Sequence, residues 1–282
     1  MPAFPAEFGM PVRVDLESSA PRTSERFLRS VLGWRFAGEG ERGRVALLQG
    51  MPLAAVQPAG DGGSQWRVSF HVDDVAGAVD RARELGAEIA QEPVTLPDGA
   101  AMAVVADPGG ALVGLLGPAD GPRLYVAGEP GAPVWFELIA GPGADFDEVV
   151  RFYHELFGWE IVVHARDGGG GYAVAVEEDA AFAGIAAGAG AAGEGAGRDW
   201  AGWLAYLGVE DLAGAVRKAA DAGGEVIVEP QLTDFGPLAT VADPAGAVTV
   251  LCEVPPPPVE EIHESDPLEG IDLSEFGFGA KG

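Results

Sequence analysis

This chain carries the same segment twice, and a chain that repeats itself in this way folds as a pair of like units. Arg26-Phe27-Leu28-Arg29-Ser30-Val31-Leu32-Gly33-Trp34 returns 125 residues on (151 against 26) as Arg151-Phe152-Tyr153-His154-Glu155-Leu156-Phe157-Gly158-Trp159. Asp74-Val75-Ala76-Gly77-Ala78-Val79 returns 137 residues on (211 against 74) as Asp211-Leu212-Ala213-Gly214-Ala215-Val216. The turn Asp107-Pro108-Gly109-Gly110-Ala111 returns as Asp243-Pro244-Ala245-Gly246-Ala247. The spacing grows by 12 residues (137 against 125), which places an insertion in the second copy. The Gly/Ala-rich stretch Gly184–Gly197 is the natural place for it and reads as a flexible loop. At 282 residues the chain holds two such units, each long enough to bury a core.

Within each copy the hydrophobic period switches in a fixed order. Val12–Glu17 alternates apolar and polar residues as a half-buried strand does, Ser24–Leu32 has helical spacing, and Gly33 supplies a helix stop. Val45–Leu48 and Ala54–Gln57 read as short strands. Trp66–Val72 alternates again, Val75–Leu85 is an amphipathic helix closed by Gly86, and Ala101–Ala106 and Ala111–Leu116 end the copy. The second copy repeats this from Val134 to Leu251. The fold class is α+β, with a module over 9–118, a linker over 119–130, a second module over 131–254 and a tail over 255–282. The tail opens on Pro255–Pro258, which favours polyproline II, and is acidic. It is expected to be mostly disordered, with Phe276 and Phe278 able to dock on the body.

Composition excludes several classes. Lys plus Arg number 17 against 44 Asp plus Glu, a formal net charge of −27 that repels nucleic acid and anionic membranes. No apolar run is long enough to span a bilayer and the N-terminus has no signal-peptide pattern, so a cytoplasmic location is expected. The single cysteine, Cys252, permits no intramolecular disulfide and no cysteine-rich zinc site, and reads as a buried, inert thiol. His154 and His164 read as surface residues and His263 belongs to the tail. Gly168–Gly171 is a turn without the strand–loop–helix setting or the lysine of a phosphate cradle.

The Phe-(Leu/Tyr)-x-x-x-(Leu/Phe)-Gly-Trp helix end, the Val-(Asp/Glu)-Asp-(Val/Leu) strand end and the Asp-Pro-x-Gly turn, in this order twice over, resemble the vicinal-oxygen-chelate superfamily of glyoxalases, bleomycin-resistance proteins and dioxygenases. The likeness spans roughly residues 9–254 and is nearest to two-domain actinobacterial members labelled glyoxalase-like or hydroxylase. It implies that each module pairs two βαβββ units into a U-shaped mixed sheet cupped around a small-molecule cavity. It also implies one divalent metal held by His, Gln or Glu on the first and last strands of the units. Carried onto this chain, those positions fall near Arg13, Arg67 and Gly114 in the first module and near Trp135, Leu204 and Val250 in the second. None of these side chains is a metal ligand, so no metal and no cofactor are expected.

Strand alternation then assigns the faces. Val12, Val14 and Leu16, with Val68, Phe70 and Val72, pack under the helices. Arg13, Asp15, Glu17, Arg67, Ser69 and His71 face the first cup, and Trp135, Glu137, Leu204 and Tyr206 the second. His71, Arg67 and Asp15 are the candidate catalytic groups; Arg13, Glu17, Ser69, Trp135, Glu137, Leu204 and Tyr206 are the candidate ligand contacts. Trp34 and Trp159 read as core anchors, and Trp66 and Trp203 fall between paired units. The leading expectation is a metal-independent protein, monomeric or homodimeric, that binds an aromatic or cationic small molecule, as in sequestration of an antibiotic or metabolite. The alternatives are a metal-independent lyase, isomerase or cyclase of secondary metabolism using the acid/base groups of the first cup, a metal-dependent glyoxalase or dioxygenase, and a non-catalytic interaction protein.

Overall fold

The structure is a computed structural model; it describes residues 3–5, 7–38, 44–60, 63–96, 98–118, 124–165, 171–178, 180–188, 201–233 and 236–254. Residues 168–170 of the predicted turn, residues 189–197 of the Gly/Ala-rich stretch, and the whole 255–282 tail with His263, Phe276 and Phe278 lie outside the described residues. A two-stranded ribbon pairs β1 (Ala3–Pro5) with β10 (Leu124–Val126), so the segment between the modules carries a strand of its own.

The first module is β2 (Pro11–Ser18), α1 (Pro21–Leu32), β3 (Arg35–Ala37), β4 (Arg44–Leu48) and β5 (Met51–Pro58). Its second unit follows as β6 (Gln65–His71), α2 (Val75–Glu84), β7 (Glu88–Thr95), β8 (Ala101–Ala106) and β9 (Leu112–Leu116). The second module repeats the order with β11 (Pro133–Ala140), α3 (Phe146–Phe157), β12 (Glu160–Ala165), β13 (Gly171–Glu177) and β14 (Ala180–Ala187). β15 (Gly202–Val209), α4 (Leu212–Asp221), β16 (Glu225–Thr233), β17 (Gly236–Ala242) and β18 (Val248–Glu253) complete it. Each module is one open eight-stranded mixed sheet, in the orders β3-β4-β5-β2-β6-β9-β8-β7 and β12-β13-β14-β11-β15-β18-β17-β16. The first strands of the two units pair antiparallel at the centre, while each unit closes on a parallel pair, β2 with β5 and β6 with β9. Two βαβββ units per module is the architecture the family resemblance implied.

The repeated motifs have distinct local jobs. Gly33 and Gly158 take φ +71° and +73° at the helix ends, where a residue with a side chain is strained. Asp74 and Asp211 are N-caps whose carboxylates accept from the backbone of Ala76 and Gly214. α1 begins at Pro21, three residues before the apolar pattern starts, because proline fits the first helical turn.

One hydrophobic core runs through both modules. Helix α1 packs on α4 and α2 on α3, and β6 packs against β15. Phe70 of β6 sits 5.1, 5.2 and 5.1 Å, centroid to centroid, from Phe157, Trp159 and Trp203 of the second module. The Asp-Pro-x-Gly turns clamp the halves reciprocally. Asp107 ties its own turn through Ala111 N and accepts Tyr153 Oη of α3 at 2.8 Å. Asp243 ties its turn through Ala247 N and accepts Ser24 Oγ of α1. Trp66 and Trp203 lie in this shared core, with Trp66 Nε1 donating to Thr249 Oγ1 at 2.9 Å.

Two sequence expectations change. Val12 does not pack under the helices: the β2–β6 register shifts between Pro11 and Arg13, and this bulge turns Val12 onto the cup side with Met102, Val104 and Leu116. Residues 184–187 are not loop but the second half of β14, paired in parallel with residues 137–140 of β11.

Candidate functional site

The first cup is built on a cross-strand ladder in which Asp15 opposes Arg67 and Arg13 opposes Ser69. Asp15 is 1% exposed; its Oδ1 accepts Arg13 Nε at 2.6 Å and Ala55 N at 2.9 Å. Arg67 donates through Nη1 to Glu17 Oε1 and places Nη2 3.7 Å from Asp15 Oδ2. Two cations and two carboxylates therefore cancel, and the Asp15 carboxylate holds the Arg13 guanidinium above its ordinary pKa despite burial. His71 is buried two residues beyond Ser69, its Nε2 3.7 Å from Asp73 Oδ1. Val12, Ala100, Met102, Val104 and Leu116 give the cup an apolar wall. The four charged residues expected in this cup are brought together, with Asp15 and Glu17 tied to the two arginines, while Ser69 and His71 stand at alternate positions further along β6.

The second cup is apolar and aromatic. Ile139, Tyr172, Ala186, Leu204, Tyr206, Leu238, Val250 and Cys252 form one cluster, with Trp135 partly buried against it. A cavity of about 270 Å³ opens between Val134, Trp135, Tyr206, Leu238, Cys252, Glu253 and Val254. Glu137, fully buried, accepts Tyr206 Oη at 2.7 Å. Burial, and then the neighbouring Glu137 charge, push the Tyr206 phenol far above its usual pKa, so it stays a protonated donor. Burial likewise raises the Cys252 thiol, in keeping with an unreactive sulfur. Sequence reading placed Trp135, Glu137, Leu204 and Tyr206 here but missed Tyr172 and Leu238. The signal available was Gly184: a Cβ there would stand 2.5 Å from Tyr172 Oη and 3.3 Å from Trp135 Cζ2, so glycine in mid-strand makes room for the aromatic wall. His154 and His164 are surface residues, His154 Nδ1 meeting Trp159 O at 2.7 Å.

The donor set fits a divalent cation in neither cup. Among the described residues no three His, Cys, Asp or Glu side chains converge. In the first cup two guanidiniums occupy the ligand region, and the last-strand ligand position is Gly114, where a Cβ would collide with Ser69 Oγ. In the second, the matching position is the buried Val250, opposite Tyr206.

Family profiles decide the kinship. One described as "Glyoxalase-like domain" matches residues 12–116, and one described as "Glyoxalase/Bleomycin resistance protein/Dioxygenase superfamily" matches residues 138–251. The chain belongs to this superfamily. It is 28% identical over 253 residues, 85% of this chain and 93% of the relative, to "Putative glyoxylase CFP32" of Mycobacterium tuberculosis. It is 28% identical over 261 residues, 85% and 91% of the two chains, to "Anthracycline biosynthesis protein DnrV" of Streptomyces peucetius. Its fold matches the crystal structure of the Mn(II)-bound glyoxalase from Novosphingobium aromaticivorans with a TM-score of 0.63 at 16% identity, covering 88% of this chain and 83% of that one. The glyoxalase-like cups are thus kept while the side chains in them differ from a chelating set. No helix among the described residues is long and apolar enough to cross a membrane.

Proposed function

We propose that this glyoxalase-like protein binds a planar, neutral or cationic aromatic molecule in the cup of its second module, without a metal, and acts by sequestering it. The observation that carries this reading is the cavity itself: about 270 Å³ walled by Trp135, Tyr206 and Leu238, with the Glu253 carboxylate on its exposed rim and the Glu137 carboxylate buried behind Tyr206. That volume is near the lower end of the roughly 300–1,000 Å³ usual for ligand sites, enough for part of a fused ring system. The indole of Trp135 offers a stacking face, and the two carboxylates disfavour an anion. A relative named for anthracycline biosynthesis points to the same ligand chemistry. The ion-paired Asp15 and Glu17 weigh against the acid/base enzyme reading of the first cup.

Titration with proflavine, a planar cationic dye, tests this by fluorescence. Saturable binding that Trp135→Ala weakens by about two- to twelvefold is expected, in line with losing a stacking wall worth about 0.5–1.5 kcal/mol. Equal affinity in the variant places the site elsewhere.

A further inference from the structure

We propose a second ligand site in the first module, for a small monocarboxylate with a hydrocarbon body, its carboxylate on Arg67 and Ser69 and its body directed along β6 towards His71. Among the described residues, Arg67 Nε, Ser69 Oγ and His71 Nδ1 are buried without a hydrogen-bond partner, and all three stand on the cup face of one strand at alternate positions. Arg67 is 5%, Ser69 0% and His71 7% exposed. A buried polar atom left unsatisfied is costly, and three in a row on one face mark a place completed by something the chain does not supply.

The geometry of Arg67 names the ligand class. Its Nη1 is committed to Glu17, while Nη2 reaches Asp15 Oδ2 only at 3.7 Å and Nε has no partner. Nε and Nη2 form the side-on edge of the guanidinium, whose two parallel N–H groups match the two oxygens of a carboxylate. Asp15 does not fill that edge: its Oδ1 is held by Arg13 Nε and Ala55 N, and its Oδ2, itself without a hydrogen-bond partner, stands 3.7 Å from Nη2, beyond hydrogen-bond reach. Ser69 Oγ is the next group along β6, and Gly114 opposite it carries no side chain that would cover the hydroxyl. Val12, Met102, Val104 and Leu116 face the same space and suit a hydrocarbon body. Arg13 and Glu17, 24% and 18% exposed, form the lip where a ligand enters by loosening the Arg67–Glu17 pair. The site is independent of the aromatic cavity of the second module.

The test is an NMR titration of the full chain labelled with ¹⁵N-histidine, reading the His71 ring against benzoate, cyclohexanecarboxylate and the uncharged benzyl alcohol. Both carboxylates are expected to shift the His71 signal saturably in the millimolar range, and benzyl alcohol to leave it in place. Arg67→Lys, which keeps the charge and removes the fork, weakens benzoate about tenfold, the equivalent of one charge-assisted hydrogen bond. Ser69→Ala, a small change that leaves the ion pairs intact, weakens it a few-fold. Trp135→Ala leaves benzoate binding unchanged while lowering proflavine affinity, so failure here is distinguishable from failure of the aromatic site. Three results each overturn the proposal: no saturable shift with either carboxylate, equal shifts with benzyl alcohol, or benzoate binding indifferent to both Arg67→Lys and Ser69→Ala.

Discussion

Tyr153→Phe removes a single oxygen from the seam between the modules. Tyr153 is fully buried, and its hydroxyl donates to Asp107 Oδ2 at 2.8 Å while accepting Trp203 Nε1 at 3.0 Å. Burial holds the phenol well above its usual pKa, so it remains the donor to the carboxylate at neutral pH. The ring is retained, so its stacking on Trp159, 5.3 Å away and 10° from parallel, and the surrounding apolar packing stay. What goes is one hydrogen bond to a charged acceptor, about 1.5–3 kcal/mol, and a buried indole N–H and a carboxylate oxygen lose their partner. The expected loss is about 2–4 kcal/mol. Because the core is continuous across both modules, unfolding is expected as a single transition rather than two. Urea denaturation followed by tryptophan fluorescence measures both quantities. A loss below about 0.5 kcal/mol, within the range of an ordinary surface change, would refute the clamp. So would a wild-type transition that splits in two.

Other consequences follow from the same contacts. Burial raises the Asp107 carboxyl above its ordinary 3.8. With the folded pKa above the unfolded one, the charged form costs stability at neutral pH, and that cost is relieved as pH falls through the raised value towards 3.8. Relative to Asp107→Asn, the wild type is therefore expected to gain stability on acidification across that window; a difference that is flat or falling on acidification contradicts it. Gly184→Ala places a methyl group against Tyr172 and Trp135, and should cost about 1–3 kcal/mol by overpacking and also lower proflavine affinity; an unchanged melting temperature with unchanged binding removes glycine's role in the wall. Ser24→Ala, at the reciprocal Asp243 clamp, should destabilise by about 1–3 kcal/mol in the same denaturation assay.

Much of this organisation was legible before any coordinates, because duplication makes weak signals count twice. Each Gly-Trp helix end or Asp-Pro-x-Gly turn is a weak motif alone, yet their matched order gave the tandem modules. Strand parity placed Arg67, Ser69 and His71 on one face and Val68, Phe70 and Val72 on the other, since a period of two survives wherever pairing stays regular. It failed at Val12 because a bulge adds a residue to one strand without leaving a mark in the sequence. Composition failed at residues 184–187, which pair as strand, with Gly184 reflecting crowding by Tyr172 rather than a loop. The exposed edge strand β7 went unread because Glu88–Thr95 has no buried face to impose alternation. The double duty of Asp107 and Asp243 was hidden too: a local turn signal says nothing of the partner a carboxylate's second oxygen finds across a module boundary.

The central claim is that the second cup binds its ligand with side chains alone. Its most direct test is proflavine affinity measured on chelator-treated protein, first as such and then after adding Mn(II), Ni(II) or Zn(II), with metal content checked by elemental analysis. The account predicts full affinity in the stripped protein, no gain from any metal, and dependence on Trp135 throughout. Binding that appears only when about one metal ion per chain is restored would contradict it.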